Sequence, residues 1–385
     1  MAVYLIGFAL CLGLIAYSEK KRLSVFLIFS VVALLIPCLI AGLRNQDVGT
    51  DVMVYVKNLT KSAIASDNLG EYFRCYWFLE WRNLYVVNYD IGFSLVVYLI
   101  GKLTHSLPAV LFTIQALMVV PVYIALARNR HKMPVWIGMA VYLLLFFNST
   151  LNMMRQWVAM AFLILAFQML LEKKGYWTAI LTVVACLFHS TAVVAVPVYL
   201  IYWLLWLPRD RCLQQGNLRL RVSTVLSVLI FFVGILAILN LPLVIKLVSM
   251  VGFSQFNNYL EGGQITLMLG QIILRLPLFF LLIVCWKEMG SKWKMTPFFL
   301  TMLFLDLVSA HLVSVDVNTL RISYYFSLYS LIWIPAAIGS CSSKKKRILL
   351  SVLVIGYGLF YWYYTYVLQL RHETYPYHFF FEGLL

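Results

Sequence analysis

Charge is what this sequence has least of. Only 12% of its 385 residues are charged, against 63% hydrophobic, about half the charged share of a soluble globular chain, so a water-soluble globule is excluded. Acidic residues are the scarcer sign, with 15 Asp and Glu facing 30 Lys and Arg. No internal repeat, low-complexity linker or sizeable soluble stretch interrupts the apolar runs. Cys11, Cys38, Cys75, Cys186, Cys212, Cys285 and Cys341 stand singly, without Cys-x-x-Cys spacing, which argues against a zinc site or a disulfide framework. No Asp-x-Asp pair occurs either, which weakens a divalent-cation mechanism. Neither a metal nor a cofactor is expected.

What is present is a succession of apolar runs. At roughly 20 residues per span, with short connections, the chain holds about ten to thirteen helices. The expectation is an all-α polytopic membrane protein over 1–385, one transmembrane domain of about 12 spanning helices plus a re-entrant or interfacial helix. Met1 to Tyr17 is apolar and is followed by Lys20, Lys21 and Arg22, the pattern of a first span rather than a cleaved signal. The net charge of +15 does not imply nucleic acid, because most clustered Lys and Arg falls in short loops where positive charge fixes orientation.

That rule puts Lys20–Arg22, Arg128–Lys132, Glu172–Lys174, Pro208–Arg211, Lys287–Lys294 and Lys344–Arg347 inside. Loops 43–88 and 241–267, the turn at 315–320 and the tail from 367 are then outside. Spans are expected near 23–42, 109–127, 134–150, 154–171, 222–240, 268–286, 296–314, 321–340 and 348–366, with a tight hairpin over 176–207. Residues 90–104 break the parity of the crossings. This run of about fifteen residues is too short to span comfortably and is expected to be re-entrant or to lie on the surface. Within 43–88, Tyr72 to Arg82 is aromatic but too charged to cross, and an interfacial helix is expected there.

Arg44, Asp47 and Asp51 follow the second span on the outer side. Arg155 lies in Asn152-Met-Met-Arg-Gln156, His189 at the apex of the hairpin, and His311, Asp316 and Arg321 around the last outer turn. Arginines at a bilayer boundary are costly unless paired or facing a polar cavity. Their guanidinium forks match phosphate oxygens, so Arg44, Arg155 and Arg321 point to a lipid diphosphate. Gly42 and Gly49 allow close backbone approach. A diphosphate leaving group could be stabilised by arginine alone. A proton acceptor is still required: histidine, with an unperturbed pKa of about 6.5, suits that task and makes His189 the first candidate, with Asp51 as its rival. Tyr55, Trp77, Trp81, Asn257 and Tyr259 would either line a ligand cavity or form the interfacial belt.

Ala41-Gly-Leu-Arg44, Val48-Gly-Thr-Asp51 with Tyr55, Asp90-Ile-Gly-Phe93, Asn152-Met-Met-Arg-Gln156 with Ala159, and Leu187-Phe-His-Ser-Thr-Ala192 together resemble the EpsG-type branch of the Wzy-like polysaccharide polymerases. Their order and spacing carry the likeness, which covers about 1–207 well and continues weakly to Arg321-Ile-Ser-Tyr-Tyr325. Asp90-Ile stands where the family usually has Glu-Pro, and Ser-Thr-Ala follows His189 where Ile-Ser-Ala or x-Ser-Ala is commoner. The resemblance implies an inverting, all-helical (GT-C-like) glycosyltransferase in a bacterial cytoplasmic membrane. It would join undecaprenyl-diphosphate-linked oligosaccharide repeats at the outer face, in O-antigen, capsule or exopolysaccharide synthesis. Arg44, Arg155 and Arg321 would hold the donor diphosphate, with Asp47, Tyr55, Asp90, Gln156 and Asp316 as secondary site candidates. Membrane lipid, a chain-length regulator and a flippase are the further partners it implies. A ligase-like transferase, a flippase or transporter of lipid-linked oligosaccharide, and a non-catalytic scaffold are the alternatives.

Overall fold

The computed structural model describes residues 1–79, 82–208, 210–215, 218–240, 243, 246 and 266–381. Most of the expected outer loop 241–267, together with Trp81, Asn257 and Tyr259, lies outside the described residues. Among those described, seven helical segments are long and apolar enough to cross a membrane, and shorter apolar helices accompany them. An apolar solvent leaves a backbone no other way to satisfy its own hydrogen bonds than a helix or a closed barrel.

The chain, expected as one domain, separates into two compact units, Met1–Ala195 with Val352–Leu385, and Val196–Ser351. The first unit contains α1 (Ala2–Ser18), α2 (Leu23–Gly42), α3 (Lys57–Ala65), α4 (Leu69–Arg74), α5 (Ile91–Thr104), α6 (Leu107–Ala127), α7 (Val135–Val141), α8 (Phe147–Thr150), α9 (Met154–Leu171) and α10 (Gly175–Phe188). A π-helical stretch, Tyr142–Phe146, joins α7 to α8. At one end of these helices the basic loops gather. The Glu19 carboxylate accepts from Val135 N at 2.9 Å, and Arg128 grips Glu172 through Nε and Nη2, both at 2.5 Å.

The opposite end carries the loop after α2, the turn at 149–153, the end of α10 and the segment after residue 368. Helix α5 starts and finishes at this end. Asp90, just before it, meets Arg155 near the start of α9, while Pro108, just after it, lies against Gly42 at the end of α2. This is the geometry of a helix lying across one end of its neighbours instead of running between both. His105, left-handed at φ 52°, closes α5, and Ser106 caps α6 by accepting from Ala109 N at 3.4 Å, so two residues suffice for the reversal.

The aromatic stretch Tyr72–Arg82 is not the helix expected from its composition. Helix α4 ends at Arg74, and β1 (Tyr76–Leu79) pairs antiparallel with β2 (Arg82–Tyr85). Consecutive aromatic residues favour a pleated strand, and Tyr76 and Tyr85 pair across the hairpin with centroids 5.5 Å apart. Alternation turns Trp77 partly inward and leaves Tyr76 and Phe78 exposed.

In the second unit, α11 (Ala195–Trp206), which begins in the first, is followed by the hairpin β3 (Cys212–Gln215) and β4 (Leu218–Arg221) and by α12 (Val222–Leu239), α13 (Leu269–Lys292), α14 (Thr296–Ala310), α15 (Leu320–Ser327) and α16 (Ser330–Ser340). Arg275 on α13 forms a two-pronged pair with Asp306 on α14, both contacts at 2.8 Å. Helix α17 (Lys344–Trp362) starts in this unit and ends in the first, where its π-helical extension reaches Leu368.

Candidate functional site

The first unit brings eight of the expected site residues to its loop-bearing end: Arg44, Asp47, Asp51, Tyr55, Asp90, Arg155, Gln156 and His189. The reach begins at Gly49, whose φ of +87° suits glycine alone and whose Cβ, if it had one, would lie 2.6 Å from Leu151 O. That close approach sets the Val48–Asp51 loop against the turn before α9. Asn152 Oδ1 then accepts from Thr50 Oγ1 at 2.5 Å and from Asp51 N at 3.1 Å. The Asp51 carboxylate caps α9 in turn, accepting from Met154 N at 3.1 Å, a favourable position for negative charge at a helix start. A π-helical turn, Val52–Val56, brings the Tyr55 hydroxyl back to the same Asp51 oxygen. Burial, reinforced by the Asp51 charge, holds the Tyr55 phenol well above its ordinary pKa, so it acts as a donor.

Arg155 lies one residue further along α9. Its Nη1 donates to Asp90 Oδ2 at 2.6 Å, and its guanidinium carbon lies 5.2 Å from the Tyr55 ring centroid and 5.1 Å from that of Tyr89. Trp77 stacks on the far side of this group, parallel to Tyr89 at 5.6 Å. Asp90 is delivered by Gly92, where a Cβ would lie 2.9 Å from Leu187 O near the end of α10. That contact brings the start of α5 to His189, whose Nδ1 lies 3.4 Å from the same Asp90 oxygen. Burial opposes ionisation of Asp90, but the His189 hydrogen bond and the Arg155 charge outweigh it and hold the carboxyl below its ordinary pKa. A neutral imidazole that donates Nδ1–H to Asp90 carries its lone pair on Nε2. Arginine, carboxylate and histidine thus form one hydrogen-bonded row, partly exposed, with side-chain accessibilities of 27%, 15% and 23%.

Arg44 is differently placed. It is 3% exposed, donates from Nη2 to the Met154 sulfur at 3.5 Å, and among the described residues has no partner for Nε or Nη1. Burial lowers its pKa to about 10, against the opposing influence of Tyr4, Tyr377, Asp51 and Tyr55. It is therefore still a cation at neutral pH. Its neighbours on the other side come from the end of the chain: Arg44 and Phe379 face each other as a β-bridge.

Asp47 faces the tail as well, 2.7 Å from His378 Nδ1, and Gln156 is buried on α9. Arg321 and Asp316 belong to the second unit. There Arg321 is an exposed residue of α15, and Asp316 Oδ1 accepts from Asn318 N at 2.6 Å in the preceding turn. Sequence reasoning missed Tyr89, Asn152 and the tail histidines His372 and His378. His372 Nδ1 lies 3.4 Å from Asn152 Nδ2. The signal was there in part, since Tyr89 precedes Asp90 directly and Asn152 opens the Arg155 motif. Among the described residues, no three His, Cys, Asp or Glu side chains gather in a metal-holding cluster.

No curated protein and no solved structure matches the chain. A model of the EpsG family matches residues 25–379, a span that takes in Arg44, the Asp51 loop, the Asp90–Arg155–His189 row and His378. EpsG is a Wzy-like polymerase family, with members read as polymerases of polysaccharide biosynthesis. With nearly the whole of its length matched, this multi-pass membrane protein belongs to the EpsG family.

Proposed function

We propose that the protein polymerises oligosaccharide repeat units carried on undecaprenyl diphosphate, transferring the growing glycan to a lipid-linked acceptor repeat at the outer face of the cytoplasmic membrane. The observation that carries this reading is the row in which one carboxylate, Asp90, bonds both Arg155 and His189. It joins a permanent cation suited to a diphosphate with a histidine whose free nitrogen can take a proton. His189 Nε2 accepts the proton of the acceptor hydroxyl as the oxygen attacks the anomeric carbon. The bond to the diphosphate oxygen breaks on the opposite side, which inverts the configuration. Arg155 and Arg44 stabilise the negative charge gathering on the departing lipid diphosphate. Asp90 is a positioning residue that orients the imidazole and stabilises its protonated form. Asp51, already engaged by Tyr55 and Met154 N, is better suited to holding the loop than to acting as base. The outer-face assignment is supported by the basic loops at the opposite end of the first unit.

The test is purified protein with synthetic undecaprenyl-diphosphate repeats, with and without EDTA. A ladder of longer lipid-linked glycans, retained in EDTA, is expected. Its rate should fall about 10²- to 10³-fold in Arg155→Ala and about 10²- to 10⁴-fold in His189→Ala. Movement of labelled lipid across sealed vesicles without any ladder would replace the polymerase with a flippase.

A further inference from the structure

We propose that residues 371–381 form a strap closed over an anion site centred on Arg44, and that the strap must lift for a lipid diphosphate to engage that arginine. The ligand's chemistry rests on the reading above; the closed site and its strap do not. Arg44 is almost wholly buried, yet among the described residues its Nε and Nη1 have no partner, and a thioether sulfur is a poor acceptor for the remaining contact. Buried guanidinium groups are otherwise paired with anions, because an unpaired buried charge is costly. The site is therefore built for a negative group.

The strap closes the way in. Asn45 N donates to His378 O at 2.8 Å and Phe380 N to Leu43 O at 2.9 Å, so main-chain bonds flank Arg44 on both sides. Tyr377 OH donates to Ile40 O at 2.9 Å, and Tyr4 OH to Thr374 O at 2.7 Å. Further back, Gly49 N donates to Glu373 O at 2.8 Å, which ties the strap to the loop that carries Asp51. The root of the strap is wound through left-handed conformations at Leu370, His372 and Glu373, with φ of 51°, 68° and 51°. Side chains rarely adopt these, and such residues cluster where a segment has a second arrangement. Its outermost tie, His378 to Asp47, is between side chains 42% and 54% exposed and is the natural place for opening to begin. A diphosphate on Arg44 would occupy the space the strap seals, so ligand binding and strap release are one equilibrium.

The test uses full-length purified protein carrying Thr374→Cys, at a strap position wholly buried while the strap is closed, with Cys75, Cys186 and Cys212 changed to serine, and follows alkylation of that thiol by a charged maleimide. Undecaprenyl diphosphate should raise the rate about tenfold, inorganic diphosphate should raise it less, and sulfate should leave it unchanged. Arg44→Met should abolish the response while Arg44→Lys, which keeps the charge, retains part of it. No response to the lipid, an equal response in Arg44→Met, loss of the response in Arg44→Lys, or an equal response to sulfate would each overturn the proposal. The ladder assay on the same preparations separates the two readings. A ladder without strap release sinks the strap alone, and strap release without a ladder sinks the polymerase alone.

Discussion

Two arginines at one end of the first unit live under opposite conditions. Arg155 is neutralised by Asp90 and lies against the rings of Tyr55 and Tyr89, whereas Arg44 has a sulfur and, among the described residues, no partner for Nε or Nη1. The sign of the consequence follows from the Arg44 pKa, which burial lowers from its ordinary value to about 10. A base whose pKa is depressed by folding costs stability wherever it is charged, and that cost is relieved only as pH rises through about 10. Arg44→Met should therefore unfold later than the parent protein, by about 1–3 kcal/mol, while losing the polysaccharide ladder; thermal unfolding in detergent checks the first outcome and the lipid-linked repeat assay the second. Asp90 gives the contrary case. Asp90→Asn removes the charge that holds both Arg155 and His189, and should lower turnover about 10²- to 10⁴-fold. If Asp90 acts by position, Asp90→Glu, which keeps the carboxylate, recovers much of the loss and restores the parent pH profile.

Helix α9 is the element on which these residues depend. Its start is held by Asp51 and its far end by Glu172, which accepts from Arg128, Gln168 and Lys174. The Arg128 hydrogen bond is the main cause that lowers the Glu172 carboxyl from 4.5 to about 2. A carboxyl whose pKa is depressed by folding stabilises the protein above its unfolded value, and the contribution is lost as pH falls toward the folded one. Acid unfolding followed between pH 5 and 2 should thus begin earlier in the parent protein than neutral-pH stability suggests, and Glu172→Gln should flatten that dependence. At this scale the sequence was legible wherever hydropathy and charge agree. The run expected at 23–42 is α2, and 154–171 is α9 to within a residue, because an apolar stretch bounded by basic loops has one inexpensive solution. The hairpin at Tyr76–Tyr85 was not legible. Aromatic residues near a bilayer suit a strand and an interfacial helix equally by composition, and only the partner strand decides. Arg44, Asp51, Arg155 and His189 could be read as span-end residues from their sequence, but the pairings of Arg155 with Asp90, Tyr55 and Tyr89, and of His189 with Asp90, could not, since each joins segments tens of residues apart.

At the scale of the whole molecule, the sequence offered a single succession of spans and the structure divides it into two units. Nothing in hydropathy marks the division, because apolar helices look alike whichever neighbours they choose. One clue to the second unit was a lone arginine and a lone aspartate inside apolar runs. Arg275 and Asp306, with side chains 12% and 3% exposed, meet there as an ion pair, and removing one partner strands the other. Asp306→Ala should destabilise by about 3–5 kcal/mol, and Arg275→Met with Asp306→Leu should recover most of it, measured by unfolding in detergent.

The strap adds a dimension of time. Tyr377 bonds Ile40 across 337 residues, an interval of on the order of twenty seconds to a minute at ordinary rates of protein synthesis. Throughout that interval the loop bearing Arg44 is already made while the segment that will cover it is not. The nascent protein therefore carries an uncovered cation at the membrane surface, and the arginine is enclosed only when the last described residues arrive.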